Sequence, residues 1–331
     1  MTARASRRPV ALVAALALSF AAPAGAAPEY KIVGGSVTPI TSIPWQVAIV
    51  DGSSTPNRQF CGGSLLRPRV VLTAAHCVDP SVSSLFSLGD DYIVAGATRW
   101  TDPAQGVRIP IVAVQEDPKF GGTIPTNDAA VLTLASSVPP ASGAPIRLAG
   151  ANEKNLWKPG VAATVSGWGF VTESGPSSLD LRSAQVPIVS DDRCGSAYEG
   201  IFDAHTMLCA GYPAGGIDSC FGDSGGPLTV PARGGKGGRV RQAGVVSFGA
   251  DGCARPATPG VYSRIGQNPL QKFIQKAVNL TPDPGNVIGS GGVCAGIKGK
   301  KGQKCRCKQK PKSNQRKKCL KKIDAKGTKK G

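Results

Sequence analysis

Apolar residues fall in short stretches along most of the chain. From Pro44 to Ile265 they are separated by clusters of Gly, Pro, Ser and Asp. Gln46–Val50, Val70–Thr73, Ile109–Val114, Ala130–Leu134, Ala162–Gly167 and Ala243–Phe248 are examples, several of them rich in β-branched side chains. Stretches of this kind fit the strands of a barrel or sandwich, because a branched Cβ packs well on a pleated, half-buried surface. One segment has a different period. Leu270, Phe273, Ile274, Ala277 and Val278 recur at helical spacing behind Pro269. That spacing predicts an amphipathic helix over 269–279, with Asn268 as its N-cap. Residues 281–293, rich in Pro and Gly, read as a linker.

The two ends differ from this body. Arg4, Arg7 and Arg8 precede the apolar run Val10–Ala22, and Ala24-Gly25-Ala26 follows it. Basic start, apolar run and small-residue site together read as an export signal over residues 1–26. Cleavage after Ala26 would leave a propeptide over 27–31. Beyond residue 26 no apolar run reaches the ~18 residues of a membrane-spanning helix. The 43 Gly and 27 Pro of the 331 residues exclude a fold dominated by long helices. The formal net charge of +18 is unevenly placed. Residues 32–280 hold 19 basic and 18 acidic side chains, whereas residues 294–331 hold 16 basic side chains against Asp324. The high charge therefore describes a tail. That tail cannot pack a core. It reads as a solvated extension, or as a means of retention on an anionic cell envelope or polysaccharide. It has no aromatic residue to stack on bases, which argues against specific nucleic-acid recognition.

Ten cysteines in an exported chain suggest pairing. Six lie in the neutral body and four, Cys294, Cys305, Cys307 and Cys319, in the tail, where the pairing stays open. With only two His and no C-x2-C pair supported by His, no metal or other cofactor is expected. The Asp90-Asp91 pair reads as a turn and not as a calcium loop.

Ser224 lies in Gly222-Asp223-Ser224-Gly225-Gly226-Pro227-Leu228. A serine hydroxyl is a poor nucleophile unless a base and an oxyanion site stand beside it. Glycines around a serine let the backbone bend and bare its N–H groups. The base is one of two histidines. His76 ends an apolar strand beside Cys77, while His205 sits in a polar stretch that reads as surface loop. Asp128 opens the apolar stretch Ala129–Leu132 and is either a strand-end cap or a buried partner for an imidazole N–H.

These pieces resemble a known family. Ile32-Val33-Gly34-Gly35, Thr73-Ala74-Ala75-His76-Cys77, Asn127-Asp128, Gly167-Trp168-Gly169, the Gly222–Leu228 box and Pro259-Gly260-Val261-Tyr262 occur in the order found in trypsin-like serine peptidases of the chymotrypsin fold. The resemblance covers residues 32–280 and leaves the tail outside. It implies an all-β fold of two packed six-stranded antiparallel barrels with a C-terminal helix. It makes Ser224 the nucleophile, His76 the general base and Asp128 its orienter, with the backbone N–H groups of Gly222 and Ser224 as the oxyanion hole. It pairs Cys61 with Cys77, Cys194 with Cys209 and Cys220 with Cys253. It places Asp218 at the floor of a specificity pocket walled by Gly249 and Gly260, which suits Arg or Lys. Ser247, Phe248 and Gly249 become the edge that pairs with substrate backbone, with Phe248 where the family usually has Trp. Lys31-Ile32 becomes an activation bond, whose scission gives Ile32 an α-ammonium for Asp223. The expectation is therefore a secreted, monomeric endopeptidase made as a zymogen and acting on protein or peptide substrates. The rival reading is a catalytically silent homologue that binds anionic surfaces through its tail.

Overall fold

The computed structural model describes residues 32–121, 124–232, 240–250, 252–267 and 269–281. The export signal, Lys31, the helix cap Asn268, the linker beyond Thr281 and the basic tail with its four cysteines lie outside the described residues.

The first half of the chain closes on itself. Strands β2 (Gln46–Asp51), β3 (Arg58–Arg67), β4 (Val70–Thr73), β5 (Tyr92–Ala95), β6 (Val107–Glu116) and β7 (Ala130–Leu134) form an antiparallel barrel in the order β2-β3-β4-β7-β6-β5. The pattern of β6 shows why. Ile109, Ile111 and Ala113 point inward, while Arg108, Pro110 and Val112 point to solvent, the alternation of a strand with one buried face. Val47, Ile49, Leu65, Val71, Leu72, Ile93, Leu132 and Leu134 fill the interior.

The second half forms a seven-stranded sheet. Its strands are β1 (Ser36–Val37), β8 (Ala162–Gly167), β9 (Arg182–Pro187), β10 (Met207–Ala210), β11 (Pro227–Pro231), β12 (Val240–Phe248) and β13 (Gly260–Arg264), in the order β1-β9-β8-β11-β12-β13-β10. Just past β9, Ile188 bridges Ala210 of β10. Six strands thus come round on each other, and two-residue β1 is an addition along β9. Ala163, Val165, Val186, Leu228, Val230 and Tyr262 form this core.

A short helix α1 (Asp191–Ala197), N-capped by Ser190, carries Cys194. The C-terminal helix α2 spans Leu270–Leu280, one residue later at each end than its sequence period suggests. Its buried stripe Leu270, Ile274 and Ala277 packs into the first barrel's core. Among the described residues no helix is long and apolar enough to cross a membrane.

The barrels meet along β3 and β11. Glycine at position 62 permits the approach, since a Cβ there would lie 3.2 Å from the Gly226 Cα. Buried side-chain bonds cross the seam, among them Ser166 Oγ to Gln46 Oε1 at 2.7 Å and Ser64 Oγ to Gln242 Oε1 at 2.6 Å. Paired polar groups of this kind fix one orientation of the barrels, because a mismatched docking would leave them desolvated and unbonded.

Candidate active site

Register places the candidate base and its partner together. Thr73, the last residue of β4, faces Ala130, the first of β7. His76 lies three residues beyond one and Asp128 two before the other, so both emerge at the same end of the barrel. His76 occupies a single 3-10 turn, Ala75–Cys77. The Cys61–Cys77 disulfide ties that turn to β3. His76 donates from its backbone N to Asp128 Oδ1 at 2.9 Å and from Nδ1 to Oδ2 at 2.7 Å. A carboxylate at that distance holds the proton on Nδ1 and leaves the Nε2 lone pair free.

Asp128 is fully buried. Burial alone would raise its pKa, but the His76 charge and the donors around it hold it below the usual carboxylate range. The second barrel supplies one of those donors and a second tie to the residue's backbone. Ser247 Oγ donates to Asp128 Oδ2 at 2.5 Å, and Ser263 Oγ to the Asp128 carbonyl at 2.6 Å. His76 feels opposing pulls. Burial lowers its pKa, and the charge and hydrogen bond of Asp128 more than offset this, so it sits above its ordinary value. The other histidine is on the surface, where its exposed ring pairs with Asp203 at 3.2 Å.

The loop carrying Ser224 is held by the first barrel on both sides. Gly62 N donates to the Ser224 carbonyl at 2.7 Å. Gln59 Nε2 donates to the Gly222 carbonyl at 2.7 Å and to the Cys61 carbonyl at 2.9 Å. The loop can follow this path because Gly222, at φ 91°, and Gly225, at φ 79°, adopt left-handed conformations that a side chain would strain. The Ser224 hydroxyl makes no side-chain hydrogen bond among the described residues, but Ser224 and His76 line the same cavity of about 740 Å³. The sulfurs of Cys61 and Cys77 come close to the His76 ring. They are bonded to each other and offer no thiolate to a metal.

The same cavity contains Asp218, Ser247, Phe248, Gly249 and Gly260. Asp218 is 5% exposed and pushed up to about 7 by burial, despite accepting hydrogen bonds from Ser219 and the Gly260 N–H. A Cβ on Gly260 would lie 2.6 Å from Asp218 Oδ1, whereas one on Gly249 would meet nothing closer than 3.8 Å. Glycine thus keeps the slot above the carboxylate open. Phe248 rests edge-on against Tyr198, whose hydroxyl donates to the Pro259 carbonyl. The Cys220–Cys253 and Cys194–Cys209 disulfides brace the surrounding loops.

Asp223 is fully buried and accepts from Gly169 N at 2.8 Å and Cys220 N at 3.0 Å. Burial pushes it up to about 6. The carboxylate explains Gly167-Trp168-Gly169, because a Cβ on either glycine would collide with it. The Ile32 side chain is buried in the second barrel's core, and Val33 bridges Asp218. The Asp90-Asp91 pair does more than turn the chain. Asp91 is fully buried and accepts from Ser87 N and Gly52 N, clamping two loops.

The structure therefore gathers His76, Asp128, Ser224, Gly222, Asp218, Ser247, Phe248, Gly249 and Gly260 at one cleft, with Asp223 buried behind it. The sequence reading missed the Ser247 bond to Asp128, the Gln59 anchor, and Phe170 and Phe221 on the cleft wall. Each is a contact between residues far apart in the chain, and no local spacing signals it.

Comparison with known proteins finds relatives of this chain. The family model described as Trypsin matches residues 32–274. A trypsin of Saccharopolyspora erythraea is 40% identical over 71% of this chain and 93% of its own length. Trypsin delta of Drosophila erecta is 39% identical over 76% of this chain and 91% of its own length. The venom serine protease Bi-VSP of Bombus ignitus is 37% identical over 75% of this chain and 69% of its own length.

Proposed function

The chain belongs to the trypsin family of serine endopeptidases, and on that premise we propose that it hydrolyses peptide bonds after Arg or Lys with Ser224, His76 and Asp128. The observation that carries this reading is the shared cavity. His76, clamped by Asp128, opens onto the same space as Ser224 and a buried carboxylate.

Ser224 Oγ attacks the carbonyl carbon and passes its proton to His76 Nε2. Asp128 keeps the imidazole in the right tautomer and stabilises its cation. The oxyanion takes hydrogen bonds from the N–H groups of Gly222 and Ser224, donors preset by the loop and not recruited during reaction. His76 then protonates the departing amine, leaving an acyl-enzyme. Water repeats the sequence to release the acid. Asp218 selects the residue before the scissile bond. A guanidinium or ammonium compensates the buried carboxylate, whereas an apolar side chain would leave it desolvated and unpaired.

Scission of Lys31-Ile32 completes the site in this reading. Asp223 has no cationic partner among the described residues, and the new Ile32 α-ammonium would supply one. Ile32 also has φ 36°, a strained setting for a β-branched residue. Once the preceding peptide bond is cut, that torsion no longer exists. Breaking the resulting buried pair would cost roughly 3–5 kcal/mol. Residues 1–26, read as an export signal, would send the enzyme out of the cell. The basic tail would then be a solvated extension or would hold it near an anionic envelope or polysaccharide.

The test is an assay of protein processed to Ile32 on matched chromogenic peptides ending in Arg, Lys or Phe. Cleavage after Arg and Lys is expected, with Ser224→Ala losing on the order of 10⁶ in turnover. Cleavage only after Phe would sink the role of Asp218. No cleavage at all would sink the triad.

A further inference from the structure

Phe221 is a large apolar side chain left 58% exposed on the wall of the cleft. It stands edge-on to Phe170, with ring centroids 5.8 Å apart and planes at 69°. The pair is built into the site. Phe170 N donates to the Phe221 carbonyl at 2.7 Å. Phe170 follows Gly169, which holds Asp223, and Phe221 precedes Gly222. A Cβ on Gly175 would lie 3.3 Å from the Phe170 ring, so the backbone there backs the ring. The backbone of the shelf is thus tied to the loop that presents Ser224.

Its position decides what it meets. This argument rests on the proposed assignment of the site. The side chain before the scissile bond fills the slot above Asp218, and the acyl half of the backbone runs along Ser247–Gly249. The departing half must then cross the other end of the cavity. Gln59, Phe60 and the Cys61–Cys77 bridge line the same cavity as Phe170 and Phe221, and Gln59 reaches the Gly222 carbonyl next to Phe221. Arg58 also lines the cavity. A wall that is apolar and exposed gains most from a substrate side chain that covers it.

We propose that Phe170 and Phe221 form a leaving-group subsite that selects an apolar, above all aromatic, side chain within two residues after the scissile bond. Small chromogenic amides do not report on it, because they carry nothing beyond the cleaved bond.

The test uses internally quenched peptides with one constant half ending in Arg, in which Phe, Leu, Ser or Lys occupies the first or second position after the cut. They compete in pairs for the enzyme processed to Ile32, and chromogenic Arg and Phe amides run alongside. A preference of roughly tenfold for Phe over Ser is expected at one of the two positions. It should collapse to within about twofold in Phe221→Ser, and shrink in Phe170→Ser, while each variant keeps its preference for Arg over Phe before the cut. Equal use of Phe and Ser by the parent enzyme overturns the inference and leaves the triad reading intact. So does a preference that survives both substitutions. A Phe221→Ser enzyme that loses discrimination on both sides of the bond also overturns it, since the residue would then shape the whole site. No hydrolysis of the Arg amide overturns the assignment of the site and this inference together.

Discussion

Replacing Ser247 with Ala should move the acid limb of the pH–rate profile upward. The Asp128 carboxylate takes three donors here: His76 N on Oδ1, and His76 Nδ1 and Ser247 Oγ on Oδ2. Without the Ser247 hydroxyl, Oδ2 keeps the imidazole alone. A hydrogen bond to a buried charge is worth about 1.5–3 kcal/mol. Some of the charge that bond neutralised then becomes available to the imidazolium, which gains stability relative to neutral imidazole. If about half is transferred, at about 1.4 kcal/mol per pH unit, the His76 pKa rises by roughly half to one unit. The active form is neutral His76, so activity is lost as pH falls through that pKa. A higher pKa therefore moves the loss to higher pH. The assay is kcat/KM for an Arg amide between pH 4 and 9, in Ser247→Ala and in Ser247→Thr, which restores a hydroxyl. The plateau should also drop several-fold in Ala, as the carboxylate orients the ring less firmly. An acid limb that stays put or moves down, with or without loss of plateau, would refute the reasoning and leave Ser247 a packing residue.

Three further perturbations follow from the site. Gln59→Leu removes the donor to the Gly222 carbonyl and should lower kcat by about 10–100-fold through a loosened oxyanion loop, while benzamidine inhibition shifts less than about threefold; equal losses would count against a positioning role. Because Asp218 is raised to about 7 when no cation is bound, benzamidine affinity should weaken as pH falls below that value, approaching tenfold per unit. Calorimetry in two buffers should then show proton release on binding, and an affinity flat between pH 5 and 8 would refute it. Gly260→Ala sets a Cβ 2.6 Å from Asp218 Oδ1 and should cost Arg and Lys substrates one charge-assisted hydrogen bond, roughly 10–150-fold in kcat/KM. Fluorophosphonate labelling of Ser224 should fall far less, and a parallel fall would place the damage at the nucleophile.

What the sequence revealed, and what it hid, divides along physical lines. The strands were legible because their apolar stretches are short and branched, and the helix because Leu270, Ile274 and Ala277 keep its period. The closing of the second sheet was not, since it rests on the contact of Ile188 with Ala210. The backbone demands of the site were legible where glycine is required. Gly167 and Gly169 make room for Asp223, and Gly260 for Asp218. Ser247 was assigned to the substrate edge through its backbone, but its side chain turns inward to Asp128. Gln59 gave no signal, because an amide that bridges two carbonyls looks in sequence like any polar residue in a strand. Phe221 reads in sequence as one more apolar residue, and only the fold leaves it exposed.

Three aspartates are buried at this site, and their surroundings set them apart. Asp128 has the imidazole as well as neutral donors, so its charge is compensated within the protein. Asp218 and Asp223 have neutral donors alone among the described residues, and burial wins in both, leaving them near 7 and 6. On the proposed reading each is a socket for a cation that the described residues do not provide. On that reading the substrate fills one at every turnover, and scission at Ile32 fills the other once. The two sockets also feel each other, since the Asp223 charge raises Asp218. Compensating Asp223 therefore eases ionisation of Asp218 and tightens its hold on a cation. Linkage makes the effect reciprocal, so a cation in the pocket must favour the paired state of Asp223 by the same factor. The uncut protein should bind benzamidine more weakly than the cut one, and saturating benzamidine should raise the pKa of the Ile32 ammonium. Equal affinity before and after the cut would mean that the two carboxylates, although close in sequence, are energetically independent.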